Sequence, residues 1–399
     1  MAKFKPSRQI GVGGLVLTRR EKKYLNQVIQ TSRLSYGPMT QKLEALFARE
    51  HDCKYAVFCN SGTSALHIAV QALKIRNGWK DGDEVIVPSM TFVATANVVL
   101  HNQMVPKFVD VEPDIHNIDP KLIESAITPR TRAIIPVHMF GQAASMDEVA
   151  GIASRHGLKI IEDSCETMFA RYRGRKVGSL GDIGCFSTYV AHLLVTGVGG
   201  FATTNDPELA VLLKSLMNHG RDSIYLSIDD DKVADKEKLF DIVARRFSFV
   251  HSGHSFRCTE MEAAIGLGQL EQNNEFMAKR SANAKRLTEG LADLGEFLDL
   301  PSVRPDRDHV FMMYPLVVKT GLKRELVNYL EERLIETRDL MPLLSQPAIK
   351  VTCGVDLANF PVARRLDADG FYIGCHPYLT SGEIGYVIDS FHEFFRTRK

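Results

Sequence analysis

Residues 55–73 read Tyr55-Ala-Val-Phe-Cys-Asn-Ser-Gly-Thr-Ser-Ala-Leu-His-Ile-Ala-Val-Gln-Ala-Leu73. The first part, Tyr55–Asn60, is a short apolar run and predicts a strand. The last part predicts a helix from Ser64 to Leu73, because Leu66, Ala69, Val70 and Leu73 repeat at helical spacing. Between them, Asn60-Ser61-Gly62-Thr63 supplies small residues. Gly62 lets another group approach the backbone, and first-turn amides with the helix dipole favour an anion such as phosphate. Read alone, the turn is more simply a small-residue helix cap.

The same alternation continues on both sides of this unit. Glu84–Pro88, Lys107–Val111, Ala133–His138, Lys159–Asp163, Ile183–Ser187 and Gly200–Thr204 predict further strands. Most are nearly continuous in apolar character, as strands covered on both faces are. Asp119-Pro120 predicts a helix start, and Met146–His156 a helix ended by Gly157. This predicts an α/β fold with a mainly parallel sheet, whose ligands sit beyond the carboxyl ends of the strands. Residues 206–250 read as helix and polar loop, with Asp229-Asp230-Asp231 a solvated loop rather than a metal site. Two helices are expected between Thr259 and Leu298. A strand at Met312–Val318 and helices at Lys323–Leu334 and Ser381–Phe395 then predict a smaller α/β domain. The division expected is 1–270 for an N-terminal arm and large domain, and 271–399 for the small one.

Composition removes several function classes. The 399 residues are 45% hydrophobic and 24% charged, as in a globular protein with a good-sized core. A net charge of +1 with scattered Lys and Arg gives no footing for nucleic acid or an anionic membrane. No apolar run approaches the roughly 18 residues of a membrane span, and Met1–Gln9 is basic without a signal-like apolar stretch. Seven cysteines, with no CxC or CxxC pair, fit reduced thiols in the cytoplasm and no zinc site.

Two more segments carry possible chemistry. Ile160-Ile161-Glu162-Asp163 is a strand ending in carboxylates. Such an acid can pair with a cofactor's pyridinium nitrogen, though a helix cap or salt bridge is the simpler reading of it alone. Gly181-Asp182-Ile183-Gly184-Cys185-Phe186-Ser187 ends a strand. A loop follows through Thr188-Tyr189-Val190-Ala191-His192 to Thr196-Gly197-Val198-Gly199-Gly200. That loop could hold a second phosphate ligand and a catalytic side chain.

With Pro88-Ser89-Met90-Thr91-Phe92 and Gly200-Phe201-Ala202-Thr203-Thr204-Asn205-Asp206, these segments resemble, in order, the DegT/StrS-type sugar aminotransferases. The resemblance runs from Leu34-Ser35-Tyr36-Gly37-Pro38 to Gly370-Phe371-Tyr372-Ile373-Gly374. It implies a fold type I, pyridoxal-phosphate-dependent enzyme acting on nucleotide-linked keto-sugars. Position by position it implies that Gly62, Thr63 and Ser187 bind the cofactor phosphate, Phe92 stacks on the ring, and Asp163 pairs with the ring nitrogen. Ser255 and Arg257 align with a segment that reaches the partner subunit's site, so a homodimer is implied.

The sequence departs from the family pattern in three places. The Schiff-base lysine is replaced by His192, a glutamine by Glu166, and a phosphate-binding asparagine by Ser255. Imidazole cannot hold the cofactor covalently, but it moves protons near neutral pH. The same replacement marks a subset, the nucleotide-4-keto-6-deoxysugar 3-dehydratases of deoxysugar and surface-polysaccharide biosynthesis. Asn218-His219-Gly220-Arg221-Asp222 resembles their Gly-Arg-Asp segment, which puts His219 and Arg221 with Arg257 among substrate-binding residues. Taken alone, His138, His219 and His376 read as hydrogen-bonded structural histidines. The resemblance thus implies a cofactor bound without a covalent link and cycling to its pyridoxamine form, glutamate as amino donor, and His192 as base. It implies no iron–sulfur cluster, since only Cys258 lies where that type carries a cysteine pair. Transamination of a nucleotide sugar, and a binding or regulatory protein with a degenerate site, are the alternatives.

Overall fold

The computed structural model describes residues 4–223 and 236–396, so the Asp229–Asp231 run lies outside the described residues. The large sheet has seven strands: β1 (Tyr55–Cys59), β2 (Glu84–Pro88), β3 (Val105–Val109), β4 (Thr131–Ile134), β5 (Lys159–Asp163), β6 (Ile183–Ser187) and β7 (Gly200–Thr204). Their order is β1-β7-β6-β5-β4-β2-β3. All neighbouring pairs are parallel except those of β7, which runs antiparallel to both β1 and β6.

The apolar runs have the expected cause. Val85 and Val87 enter one core while Ile86 enters another on the opposite face; Ile161 and Ile160 split the same way. Each face is covered by helices, so alternation is lost and the strand reads as continuously apolar. Burying each such side chain is worth about 1.5–3 kcal/mol.

Register decides where the site forms. Gly200 lies opposite both Cys59 and Ser187, and Asp163 lies opposite Cys185. The ends of β1, β5 and β6 therefore converge on the start of β7. A side chain at Gly200 would put its Cβ 2.5 Å from the Gly62 amide nitrogen and from the Phe186 oxygen. Only glycine allows the helix that follows β1 to start so close to β6.

The rest of the chain builds a second, antiparallel sheet from β8 (Leu298–Asp299), β9 (Tyr314–Val318), β10 (Thr337–Asp339) and β11 (Gly370–Ile373). Its order is β8-β9-β11-β10. Ala284, Leu287 and Leu291 of the helix Asn273–Leu291 share a core there with Ile384, Val387, Phe391, Phe394 and Phe395 of the helix Ser381–Arg396. The N-terminal arm joins this sheet through Ile10, whose amide donates to the Leu334 carbonyl at 2.7 Å. Among the described residues no helix is long and apolar enough to cross a membrane.

Candidate active site

A cavity of about 680 Å³ opens where β1, β5 and β6 end. It is lined by Gly62, Thr63, Phe92, Asp163, Glu166, Ser187 and His192, seven positions singled out in the sequence. Each is placed by a local device. Ser61 caps the helix Gly62–Asn77, its hydroxyl accepting from the Ser64 amide, which leaves the Gly62 and Thr63 amides as first-turn donors without an intrahelical acceptor. A Cβ on Gly62 would fall 2.7 Å from the Ser187 Cβ and 2.9 Å from the Cys165 Sγ. These amides and the Ser187 hydroxyl are therefore gathered at one end of the cavity, as a phosphate requires.

Asp163 ends β5 and is 4% exposed. Its Oδ2 accepts from the Thr95 hydroxyl at 2.8 Å and its Oδ1 from the Cys165 amide at 3.2 Å. Both donors are neutral, and burial raises the carboxyl above its usual range. A buried carboxyl with two neutral donors, facing a cavity, suits a cationic ring nitrogen. Phe92, just ahead of the helix Val93–His101, keeps 57% of its surface exposed beside the cavity, an open aromatic face for a ring.

Glu166 is 5% exposed, and its Oε2 accepts from the Phe140 amide at 2.9 Å. Phe140 sits in the left-handed region at φ 56° to present that amide. Burial, with Asp163 nearby and against the Phe140 bond, pushes Glu166 up to about 7.

His192 rides on the loop between β6 and β7. The Thr188 and Thr196 hydroxyls close that loop at 2.6 Å, and the Thr188 amide reaches the Gly199 carbonyl at 2.9 Å. The His192 Nδ1 is buried without a hydrogen-bond partner. Burial, joined by the positive Arg280 and opposed by the Cys165 backbone, lowers His192 to about 4. At neutral pH it is an uncharged imidazole, able to accept a proton. Among the described residues no lysine lines the cavity.

The other sequence-derived residues stand elsewhere. Arg257 Nη2 lies 3.3 Å from His219 Nε2 and 3.4 Å from Ser255 Oγ, beside the end of β1, where Asn60 donates to the Phe256 carbonyl at 2.7 Å. Arg221 lies over Phe247 and Phe249 and donates to the Arg246 carbonyl. None of these four lines this chain's own cavity. His138 is structural: Nδ1 accepts from the Ala144 amide, and Nε2 meets Glu162 at 3.1 Å. Glu162 also takes the amides of Gly178, Leu180 and Gly181, so of the two acids ending β5 only Asp163 faces the cavity. Sequence reading missed Thr95, Met312, Met313, Glu336, Arg338 and Tyr372, which complete the walls. Only Tyr372 lay in a quoted motif; Thr95 follows Phe92 by three residues on the helix Val93–His101, and the others are brought in by long-range packing.

Residues 16–392 match the DegT/DnrJ/EryC1/StrS aminotransferase family. The chain is 36% identical to GDP-perosamine synthase of Caulobacter vibrioides, over 95% of this chain and 96% of that protein. It is 32% identical to dTDP-4-dehydro-2,6-dideoxy-D-glucose 3-dehydratase of Saccharopolyspora spinosa, over 97% and 87%. Among solved structures, DesV of S. venezuelae superposes with a TM-score of 0.82 at 33% identity, covering 94% of each chain. A GDP-4-keto-6-deoxymannose-3-dehydratase (ColD) mutant with bound GDP-perosamine superposes with a TM-score of 0.85 at 25% identity, covering 96% of this chain and 100% of that one. A helix start with free first-turn amides, a buried carboxyl and an open aromatic face thus line one cavity on the fold of these enzymes, and the chain belongs to the pyridoxal-phosphate-dependent DegT/DnrJ/EryC1/StrS aminotransferase family.

Proposed function

We propose that this chain is a 3-dehydratase of a nucleotide-linked 4-keto-6-deoxysugar, working with pyridoxamine phosphate held without a covalent link. The observation that carries the reading is the cavity wall itself: among the described residues it holds an uncharged, buried histidine, His192, and no lysine. When bound, the cofactor supplies an electron sink next to the sugar's carbonyl. The amides of Gly62 and Thr63 and the Ser187 hydroxyl fix its phosphate. Asp163 keeps the ring nitrogen protonated, Phe92 covers the ring, and Glu166 holds its edge. His192 takes a proton beside the ring and returns it as the sugar's 3-hydroxyl leaves as water. Glutamate, as amino donor, would be oxidised to 2-oxoglutarate, so that the net products are a 3-deoxy-4-keto sugar, 2-oxoglutarate and ammonia. The 3-dehydratases among the similar proteins support this reading.

Transamination is the competing reading, and the 36% identity to a GDP-perosamine synthase favours it. Mass spectrometry of products from a panel of nucleotide-linked 4-keto-6-deoxysugars, incubated with glutamate and cofactor, separates the two. Dehydration predicts loss of the 3-hydroxyl with no nitrogen retained. A stable amino sugar would replace this proposal with transamination, and no turnover on any member would point to a binding protein.

A further inference from the structure

The helix Asn273–Leu291 carries Arg280, a side chain only 2% exposed. Among the described residues no carboxylate pairs with it. Its guanidinium instead donates to three main-chain carbonyls: Met312 at 2.8 Å, Phe311 at 3.3 Å and His192 at 3.1 Å. Its Nε is buried and unpartnered. A buried charge without a counter-charge is costly, and apolar residues usually fill such a place more cheaply. Something other than bulk stability should account for it.

The carbonyls it chooses indicate what. One belongs to His192. The other two belong to the segment leading into β9, where Met312 and Met313 form the cavity wall facing the large sheet. That segment is itself bent: Phe311 has φ 45°, and its neighbours bond to the Phe140–Gly141 turn, with Val310 donating to Gly141 and Met312 to Phe140. Arg280 thus ties the loop carrying His192 to the opposite wall through one rigid fork. Its neighbour Cys375 donates back to the Arg280 carbonyl at 3.5 Å, and Asn283, one turn on, holds the His376 carbonyl at 3.0 Å, so the helix is anchored at that level.

We propose that Arg280 is the positioning residue of His192: it fixes the main chain that carries the imidazole and keeps a positive charge behind it. The inference rests on His192 being the proton-moving group. The charge is one of the causes that lower His192, after burial. Other titratable groups share its cavity: Asp163, Cys165 and Glu166 from the β5 end, Tyr189 from its own loop, Glu336 just ahead of β10, Arg338 from β10, and Tyr372 from β11. Behind Arg280 stand Cys375, His376 and Tyr378, which interact with it electrostatically. Of all these, Arg280 is the cation bonded to the His192 backbone.

Two variants separate geometry from charge. Arg280→Lys keeps the charge and loses the fork; Arg280→Gln keeps amide donors and loses the charge. His192 is followed by histidine-selective NMR titration of the apoprotein, its signal assigned by its disappearance in His192→Asn, so this readout needs no substrate. In Arg280→Gln the titration should move up by about one pH unit. In Arg280→Lys it should stay low. With a turned-over substrate, the acid limb of kcat should move up in the Gln variant alone, while both variants lower kcat with KM little changed. An unmoved His192 titration in a folded Arg280→Gln protein would overturn the inference. So would equal loss of melting temperature in both variants with an unmoved pH profile, which describes a merely structural arginine. If Arg280→Gln does not fold, a Lys variant whose His192 titrates as high as a free imidazole overturns it equally. A kcat that survives His192→Asn would sink the dehydratase reading, and that result is distinct from either failure here.

Discussion

At position 192 a histidine stands where the family pattern has lysine, and on the proposed reading its buried, neutral ring is the proton-moving group. His192→Asn keeps a polar side chain of similar size but removes the proton shuttle. Elimination should fall by roughly two to four orders of magnitude, while pyridoxamine phosphate, followed by its fluorescence, still binds. Unchanged turnover per folded molecule would contradict the assignment. Glu166 makes a second residue-scale prediction. It is pushed up to about 7, so it is protonated and able to donate below that pH, and is acceptor-only above it. If it bonds an oxygen of the bound ring, cofactor affinity should drop about tenfold per pH unit above 7. Glu166→Gln donates at every pH and should flatten that fall. Because the folded value lies above the unfolded one, native Glu166 also contributes stability that is present below pH 4.5 and lost as pH rises through 7. Glu166→Gln should therefore gain melting temperature over the native chain at pH 8 but not at pH 4.5. Parallel pH curves for the two proteins would refute both statements. His192 and Glu166 were legible because each breaks a motif the sequence otherwise keeps; Arg280 was not, since a lone arginine in a helix gives no sign of its three carbonyls.

For the secondary-structure elements, most strands of the large sheet were legible, and the first two helices were not. The strands at 84–88, 159–163, 183–187 and 200–204 fall where the apolar runs placed them. The third was read as Lys107–Val111 but spans Val105–Val109, with Pro106 inside it. It is an edge strand, where a missing N–H costs nothing. The fourth was likewise read at Ala133–His138 but ends at Ile134, ahead of Pro136; beyond it only Val137 still bridges to Asp163. The helices Arg19–Thr31 and Pro38–Glu50 are not among the elements expected from the sequence. The first buries only Glu21 and Val28, and Glu21 is held by Gln269 and Gln272 from far along the chain. Its one local sign was the Thr18/Glu21 capping box. The element that matters most for function is the start of the helix Gly62–Asn77. Gly62→Ala would force a Cβ to 2.7 Å from Ser187, so the helix end must withdraw from the cavity. Affinity for pyridoxamine phosphate should fall by about tenfold or more, about 1.4 kcal/mol. Phosphate-free pyridoxamine should be affected far less. Equal weakening of both ligands would remove the phosphate from this helix end.

Three of the expected site residues lie away from the cavity of the chain that carries them. Ser255, Arg257 and His219 form a cluster beside the end of β1, yet line no part of this chain's cavity. We propose that they serve the cavity of a second copy, in a two-fold dimer. Symmetry makes this testable without a structure of the dimer. His192→Asn and Arg257→Ala should each be nearly inactive alone. Mixed in equal amounts and allowed to exchange subunits, about half the dimers become hybrids with one member of each kind. In a hybrid, the cavity of the His192→Asn chain receives the mutant Arg257 position and is doubly impaired. The cavity of the other chain keeps its own His192 and receives the intact Arg257 of its partner. One site in each hybrid is then whole, so the mixture should recover roughly a quarter of native activity. If Arg257 instead serves its own chain, every site in every hybrid carries one defect and mixing restores nothing. Sedimentation measured beside the assay confirms that exchange occurs, and a fully active monomer would remove the shared site altogether.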